Sequence, residues 1–252
     1  MSGHSKWAKI KHQKGAADAK KGKVFSKLAK EIMVVAKQGG GDPGMNPSLR
    51  NLIQKAKSVN MPNDNIDRAI KKGTGEMGGV VYEEVSYEGY AQGGVGLIVK
   101  ALTDNKNRAA AEIRNIFKKN GSDFATLGAV SRGFERRGHI LVDAAGQDED
   151  KVMTIVLEAG ADDMTSQDGS FEILTSTQSF ADVCDALQKA GIQPASAEVG
   201  LIPNTSVPVA DIGVAKAVQK FVNALEDYDD VQNVYTNMDV DAAIVEQLSS
   251  EE

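Results

Sequence analysis

The chain has 252 residues, 41% hydrophobic and 25% charged, which is usual for a globular protein of two or three domains. Its net charge is −6, its single cysteine excludes an internal disulfide, and no apolar run approaches the about 18 residues of a membrane span. The basic N-terminus lacks the apolar stretch of a secretory signal, and residues 1–49 lack the arginines of a mitochondrial presequence. We therefore expect a cytoplasmic protein that does not enter a membrane.

The first thirty residues form a cationic segment within this acidic chain. They contain nine lysines and one acid, Asp18, which together give a net charge of +8. The only tryptophan, Trp7, lies among these lysines, and a flat ring beside mobile cations suits a phosphate backbone with bases to stack on. The segment therefore predicts a nucleic acid as partner. The alternatives are a solvated, solubilising face for the lysines and packing of Trp7 against the helices that follow.

The charge asymmetry continues along the whole chain. Residues 1–76 carry +10, residues 106–137 carry +5, and residues 138–252 carry −18. We therefore expect one end of the protein to attract nucleic acid and the other end to repel it. For residues 106–137, a solvated surface without a binding role is an equally good interpretation.

Three short amphipathic helices are predicted next. The first ends at the glycine-rich stretch 39–44, because glycine favours a left-handed C-cap and proline cannot continue a helix. Asn46 and Pro47 are typical of an N-cap and a first helical position, and the third helix begins near Met61 and ends at Gly73. Apolar residues recur at helical spacing in all three, as expected for a small bundle.

Two strands, 80–90 and 94–103, are predicted to pair antiparallel. A helix capped by Asn105 follows and ends at Asn120-Gly121. Residues 122–134 are ambiguous, and Ala129–Phe134 is a candidate strand. Near the C-terminus, one helix (211–226) and one strand (231–238) cannot form a core alone, so we expect them to complete the sheet begun by the first pair.

Residues 139–202 follow a strand–helix–strand–strand–helix–strand order, which is the ferredoxin-like split unit. We therefore predict an α+β multidomain fold with a three-helix domain and two α/β domains, one inserted into the other. The predicted domains are 1–76, a discontinuous domain of 77–134 plus 206–246, and the inserted ferredoxin-like domain 135–205.

The sequence contains no recognisable set of catalytic residues. The three histidines and the single cysteine do not provide the spacing of a zinc site or a Cys–His pair, and the glycine-rich stretches lack the context of nucleotide-binding loops. Cys184 lies at helical spacing among apolar residues, which favours a core thiol over a nucleophile. We predict no enzymatic activity, no metal, no cofactor and no small-molecule substrate.

Four segments resemble the YebC family of gene-expression regulators, which includes mitochondrial translational activators. They are GHSKWAKIKHQKGAADAKKGKVFSKLAKEI (3–32), MPNDNIDRAIKKGTGE (61–76), YEGYAQGGVGLIVKALTDNKNRAAAEIR (87–114) and SFEILT (170–175). The resemblance covers essentially the whole chain and implies three domains around a central cavity. Family members are commonly described as DNA-binding transcriptional regulators, whereas others act at the ribosome on difficult sequences such as proline runs.

The leading hypothesis is a non-enzymatic, probable transcriptional regulatory protein that binds DNA through its basic N-terminal segment. The main alternative is a ribosome-associated translation factor that binds ribosomal RNA; a protein–protein adaptor and an undetected enzyme remain further alternatives. Lysine provides affinity without base readout, so strong sequence specificity is not expected from this segment. The candidate nucleic-acid-binding residues are Lys6, Trp7, Lys9, Lys11, Lys14, Lys20, Lys21, Lys23, Lys27 and Arg108.

Overall fold

The computed structural model describes residues 18–78, 80–167, 169–241, 244, 245 and 247, with only the backbone described for residues 18–20. Within these residues the helices are α1 Asp18–Gly39, α2 Pro47–Ser58, α3 Asn63–Gly73, α4 Lys106–Lys119, α5 Glu149–Glu158, α6 Phe180–Lys189 and α7 Ile212–Glu226. The strands are β1 Glu83–Tyr90, β2 Gly96–Thr103, β3 Asp123–Ala125, β4 Phe134–Asp143, β5 Ala161–Gln167, β6 Ser170–Thr175, β7 Ser196–Pro203, β8 Val207–Val209, β9 Val231–Thr236 and β10 Met238–Val240.

The chain forms two compact units. The first unit contains the described residues of 12–129 and 216–234, and the second contains those of 130–215 and 235–252. The boundaries lie between residues 129 and 130, in the first turn of α7 and near the end of β9. The first unit thus joins the three N-terminal helices to a sheet, and the predicted division into three domains stays a prediction.

The three N-terminal helices pack around a small apolar core, as the sequence predicts. Leu28 and Ile32 of α1 meet Leu49 and Ala56 of α2 and Ile66 of α3, and all five are buried. The close approach of α1 and α3 requires a glycine, because a methyl group at Gly73 would lie 2.5 Å from the carbonyl oxygen of Met33. The predicted end of α3 at Gly73 is therefore also a packing position.

Asn46 connects the end of α1 to the start of α2. Its side-chain oxygen accepts a hydrogen bond from the amide of Leu49 at 3.1 Å, which confirms the predicted N-cap. Its amide nitrogen donates to the carbonyl oxygens of Val35 (3.1 Å) and Gly40 (2.9 Å), at the end of α1. Asn46 is 5% exposed, so one buried amide satisfies backbone groups from two helices.

A four-stranded sheet follows, with strand order β3-β1-β2-β9. β1 and β2 pair antiparallel from Glu83–Thr103 to Tyr90–Gly96, as predicted. The late strand β9 lies beside β2, which confirms that the C-terminal helix and strand complete this sheet. Phe117 of α4 and Phe221 of α7 pack edge to face with ring centroids 4.8 Å apart, so the two helices share one core.

Residues 122–134 are mostly turn. Asp123–Ala125 forms the short strand β3 beside β1, and Ser131–Gly133 forms a single 3₁₀ turn. The candidate strand Ala129–Phe134 is therefore wrong except for its last residue, where β4 begins. β4 is also longer than predicted, because the charged residues 135–137 obscure the start of a strand that is continuously buried only from residue 138 to residue 142.

The second unit contains the predicted ferredoxin-like arrangement. β4, α5, β5, β6, α6 and β7 occur in this order, and the sheet order is β5-β6-β4-β7 with antiparallel neighbours. Ile140, Val142, Phe171 and Ile173 of the sheet share a buried core with residues of α5 and α6. The sequence prediction missed one small feature, the parallel pair β8–β10, because three-residue strands are too short for a periodic pattern.

We expect Asn46→Ala to lower the free energy of unfolding by roughly 2 kcal/mol, since it removes an N-cap and leaves two carbonyl oxygens without their donor. Urea unfolding followed by circular dichroism measures the change. Asn63→Ala is the matched control, because α3 has no side-chain cap bond and Asn63 is exposed. Equal stability of the Asn46 variant and the wild type would contradict the connecting role of this side chain.

Candidate nucleic-acid interface

The predicted interface residues fall into two groups. Lys21, Lys23, Lys27 and Arg108 are described by the structure, whereas five others and the side chain of a sixth lie outside the described residues. These six are Lys6, Trp7, Lys9, Lys11, Lys14 and Lys20.

Lys23 and Lys27 of α1 contact the C-terminal end of α7. The Lys23 amine lies 2.9 Å from the carboxylate of Asp227, and the Lys27 amine donates to the carbonyl oxygen of Glu226 at 2.9 Å. The last carbonyl groups of a helix carry partial negative charge and favour nearby cations. Both lysines therefore have a partner within the protein, and their predicted contact with phosphate stays a prediction.

Lys30 follows on the same face of α1, because positions 23, 27 and 30 have helical spacing. Its amine donates to the carbonyl oxygen of Asp229 and to the carboxylate of Asp230, both at 2.8 Å. It also lies 5.5 Å from the centroid of the Tyr82 ring. With 13% of its side chain exposed, Lys30 serves the structure of the first unit rather than a solvent-facing surface.

Asp230 is the centre of this contact and is 5% exposed. Besides Lys30, its carboxylate accepts hydrogen bonds from Thr103 (2.9 Å), Arg108 (2.9 Å) and Tyr228 (3.2 Å). Burial alone would raise the pKa of Asp230, but the hydrogen bonds from Lys30, Arg108 and Thr103 outweigh it and lower this pKa to about 2. The carboxylate is therefore charged near neutral pH.

Arg108 was predicted to bind nucleic acid, and the structure places it in this network. Its guanidinium lies 2.6 Å from Asp104 and 2.9 Å from Asp230, and these hydrogen bonds raise its pKa. About half of the Arg108 side chain is exposed. A contact between Arg108 and phosphate stays a prediction.

A second set of cations, not recognised in the sequence, lies on α2 and α3 and in the last turn of α1. All seven are exposed, and within the described residues their side chains form no ion pair or hydrogen bond. The charge of +10 over residues 1–76 could have indicated them, because the first thirty residues account for only +8 of it. They are Lys37, Arg50, Lys55, Lys57, Arg68, Lys71 and Lys72.

A groove between α1 and α3 lies beside these cations. Its larger part is a cavity of about 180 Å³ lined by Met61, which precedes α3, and by Phe25, Met33, Arg68 and other residues of the two helices. A second cavity of about 130 Å³ continues it toward Val80 and Val81, and Met33 and Lys72 line both. The groove therefore combines an apolar floor with a cationic rim.

The cysteine and the histidine of the second unit lie in or beside its buried core. Cys184 is partly buried and packs against the core of the second unit, and burial raises its pKa to about 11, which is in agreement with a structural thiol rather than a nucleophile. His139 and Glu172 form a buried pair at 2.8 Å on the adjacent strands β4 and β6, which the sequence analysis missed. Among the described residues, no group of three His, Cys, Asp or Glu side chains could hold a metal ion, and no helix is long and apolar enough to cross a membrane.

The fold defines a class of α+β protein in which a helical N-terminal part is followed by two four-stranded sheets that pack against helices. Residues 5–76 match the family model of the TACO1/YebC protein N-terminal domain, and residues 82–238 match that of the TACO1/YebC second and third domain. The chain therefore belongs to the TACO1/YebC family, which confirms the resemblance found in the sequence.

Relatives of similar length support this assignment. A probable transcriptional regulatory protein of Halothermothrix orenii is 51% identical over 100% of both chains. One of Dictyoglomus turgidum is 51% identical over 99% of this chain and 100% of its own length. The crystal structure of a conserved hypothetical protein from Aquifex aeolicus is 43% identical, covers 93% of this chain and 97% of its own, and has a TM-score of 0.83. By the names of these curated relatives, the family is one of regulators.

We expect Asp230→Asn to lower the free energy of unfolding by about 1–2 kcal/mol near pH 7, because it removes the charge that Lys30 and Arg108 stabilise. The folded-state pKa is about 2 and the ordinary value is 3.8, so this contribution is complete above about pH 4 and is lost as the pH falls through 2. Urea unfolding at several pH values tests this dependence.

Asp227→Asn is the matched control in the same turn. The Lys23–Asp227 pair is exposed, with 45% and 74% of the two side chains accessible, so we expect a change within about 0.5 kcal/mol. Equal losses from both variants would show that the buried network has no special role.

Proposed function

We propose that this protein is a non-enzymatic regulator of gene expression that binds nucleic acid through its basic N-terminal segment and the helices that follow it. The observation that carries this proposal is the set of seven exposed cations on α2, on α3 and in the last turn of α1, whose side chains form no ion pair or hydrogen bond among the described residues. A surface that only keeps a protein soluble can carry charges of both signs. A surface that binds a phosphate backbone must carry positive charge.

The contacts of α1 are compatible with this role. Lys30 is held by a buried carboxylate, but Lys23 pairs with Asp227 at the surface. An exposed pair of this kind contributes at most about 1 kcal/mol, so a phosphate can replace Asp227 at little cost. We therefore keep Lys23 among the proposed phosphate contacts, together with the lysines of the preceding segment.

DNA is the first target to test, because the curated relatives are named probable transcriptional regulatory proteins. A specific feature also supports the alternative, ribosomal RNA. Residues 138–252 carry −18 and would repel a duplex that wrapped around the protein. A protein that contacts nucleic acid on one side only suits a site on a large ribonucleoprotein.

Sedimentation of a cell lysate through a sucrose gradient separates the two targets. We expect the protein to move with nucleic acid and to return to the top of the gradient after nuclease treatment. Release by DNase alone would support DNA, and co-migration with ribosomal subunits after DNase treatment would support ribosomal RNA. Sedimentation as a free protein under every condition would contradict the proposal.

We expect affinity for nucleic acid to fall steeply with salt, because lysines that contact phosphates release counterions. About five such contacts give a slope of roughly −4 to −5 in a plot of log affinity against log salt. Lys55→Gln combined with Lys57→Gln removes two cations from α2, and we expect it to reduce the magnitude of the slope by about 1–2. Fluorescence anisotropy with a labelled duplex measures both values.

The control removes the same charge from the second unit, by Lys151→Gln combined with Lys189→Gln. Both lysines are exposed on the acidic half of the chain, so their loss should leave the slope unchanged. A wild-type slope near zero would instead favour an apolar protein partner.

A further inference from the structure

The groove between α1 and α3 has an apolar floor that none of the described residues fills. Phe25, Ala29 and Met33 of α1 are spaced by four residues and point along one side of the groove. Ala69 of α3 and Met61 lie opposite, and Phe25 and Met33 are only half-buried. Methionine is flexible and polarisable, and both it and phenylalanine contact flat rings favourably.

Three cations line the groove beside this floor. Arg68 and Lys72 of α3 line the larger cavity, and Lys37 of α1 lines the smaller one together with Lys72. Asp64 and Asp67, the acids of α3, line neither cavity, and the three cations form no ion pair among the described residues. The groove therefore favours a ligand with a flat apolar part between negative charges.

The size of the larger cavity limits the part of the ligand that lies on its floor to one small group. Its larger cavity, about 180 Å³, is below the roughly 300 Å³ at which pockets for drug-sized molecules begin. A peptide helix would need several apolar anchors along its length, and the groove offers room for one or two. A single base with a phosphate on either side matches both the size and the charge.

We propose that this groove holds one unpaired nucleotide of a nucleic-acid strand, with its base on Met33 and Phe25 and its flanking phosphates on Arg68, Lys72 and Lys37. Asn65, which also lines the cavity, offers an amide to the edge of the base. A base inside a duplex cannot reach the floor, so the groove selects single-stranded or bulged nucleic acid. The inference rests on the proposed function and specifies the form of nucleic acid that is bound.

The test compares binding of a roughly 12-nucleotide adenosine RNA with binding of the same RNA annealed to its complement. Ser26→Leu fills the groove from an exposed position on α1, and Ser48→Leu makes the same change on α2, outside the groove. We expect Ser26→Leu to weaken binding of the single strand about five- to hundredfold and to leave duplex binding unchanged. Ser48→Leu should change neither.

Crosslinking of the unmodified protein provides a measurement that does not depend on a variant. An RNA with one 4-thiouridine should crosslink to the α1 segment that carries Phe25 and Met33, as read by mass spectrometry. Crosslinks confined to other segments, or single-strand binding unaffected by Ser26→Leu, would overturn the groove assignment while leaving nucleic-acid binding intact. Failure of the wild type to bind either RNA would overturn the proposed function and this inference together.

A protein partner predicts a different result. A glutamate-rich amphipathic peptide would then shift the methyl resonance of Met33, while the RNA would leave that resonance unchanged. This outcome would overturn the nucleotide assignment.

Discussion

A buried carboxylate, Asp230, determines how the first unit is assembled. It lies in the turn between α7 and β9 and accepts hydrogen bonds from α1, β2 and α4. Its partner Lys30 is 200 positions away in the sequence. Because a buried charge is costly unless several donors satisfy it, the ionised carboxylate favours the arrangement in which these segments meet at one point. The three N-terminal helices are thereby fixed on the sheet that β9 completes.

In this arrangement, some lysines of α1 stabilise the fold and others remain accessible for binding. Positions 23, 27 and 30 share one face of the helix and contact the acidic end of α7. Their surroundings differ, since Lys23 is about half exposed and Lys30 is almost covered. These lysines are equivalent in a count of charges. The free energy that is lost when the amine leaves its protein partner to bind a phosphate is therefore smaller for Lys23 than for Lys30. The surface proposed for binding consequently extends from the N-terminal segment to α2 and α3.

Local rules predicted the secondary structure well where a cap or a regular period is present. Asn46 and Asn105 cap helices as expected, with hydrogen bonds from the amides of Leu49 and Arg108. The ferredoxin-like order was also recognisable, because each of its elements has its own apolar pattern. Prediction failed for β8, β10 and residues 129–133, where the segments are too short for a period to be detected and pairing with distant strands decides the structure.

By itself, the sequence determined the charge asymmetry, the helices and strands of regular period, and membership of the TACO1/YebC family. Each of these depends on residue type and spacing, which the chain carries locally. Only the tertiary structure decided that Lys30 and Arg108 meet Asp230, that the cations of α2 and α3 keep exposed side chains, and that a groove opens beside Met33. Burial and ion pairing depend on which distant segments come together, and no spacing along the chain encodes that directly.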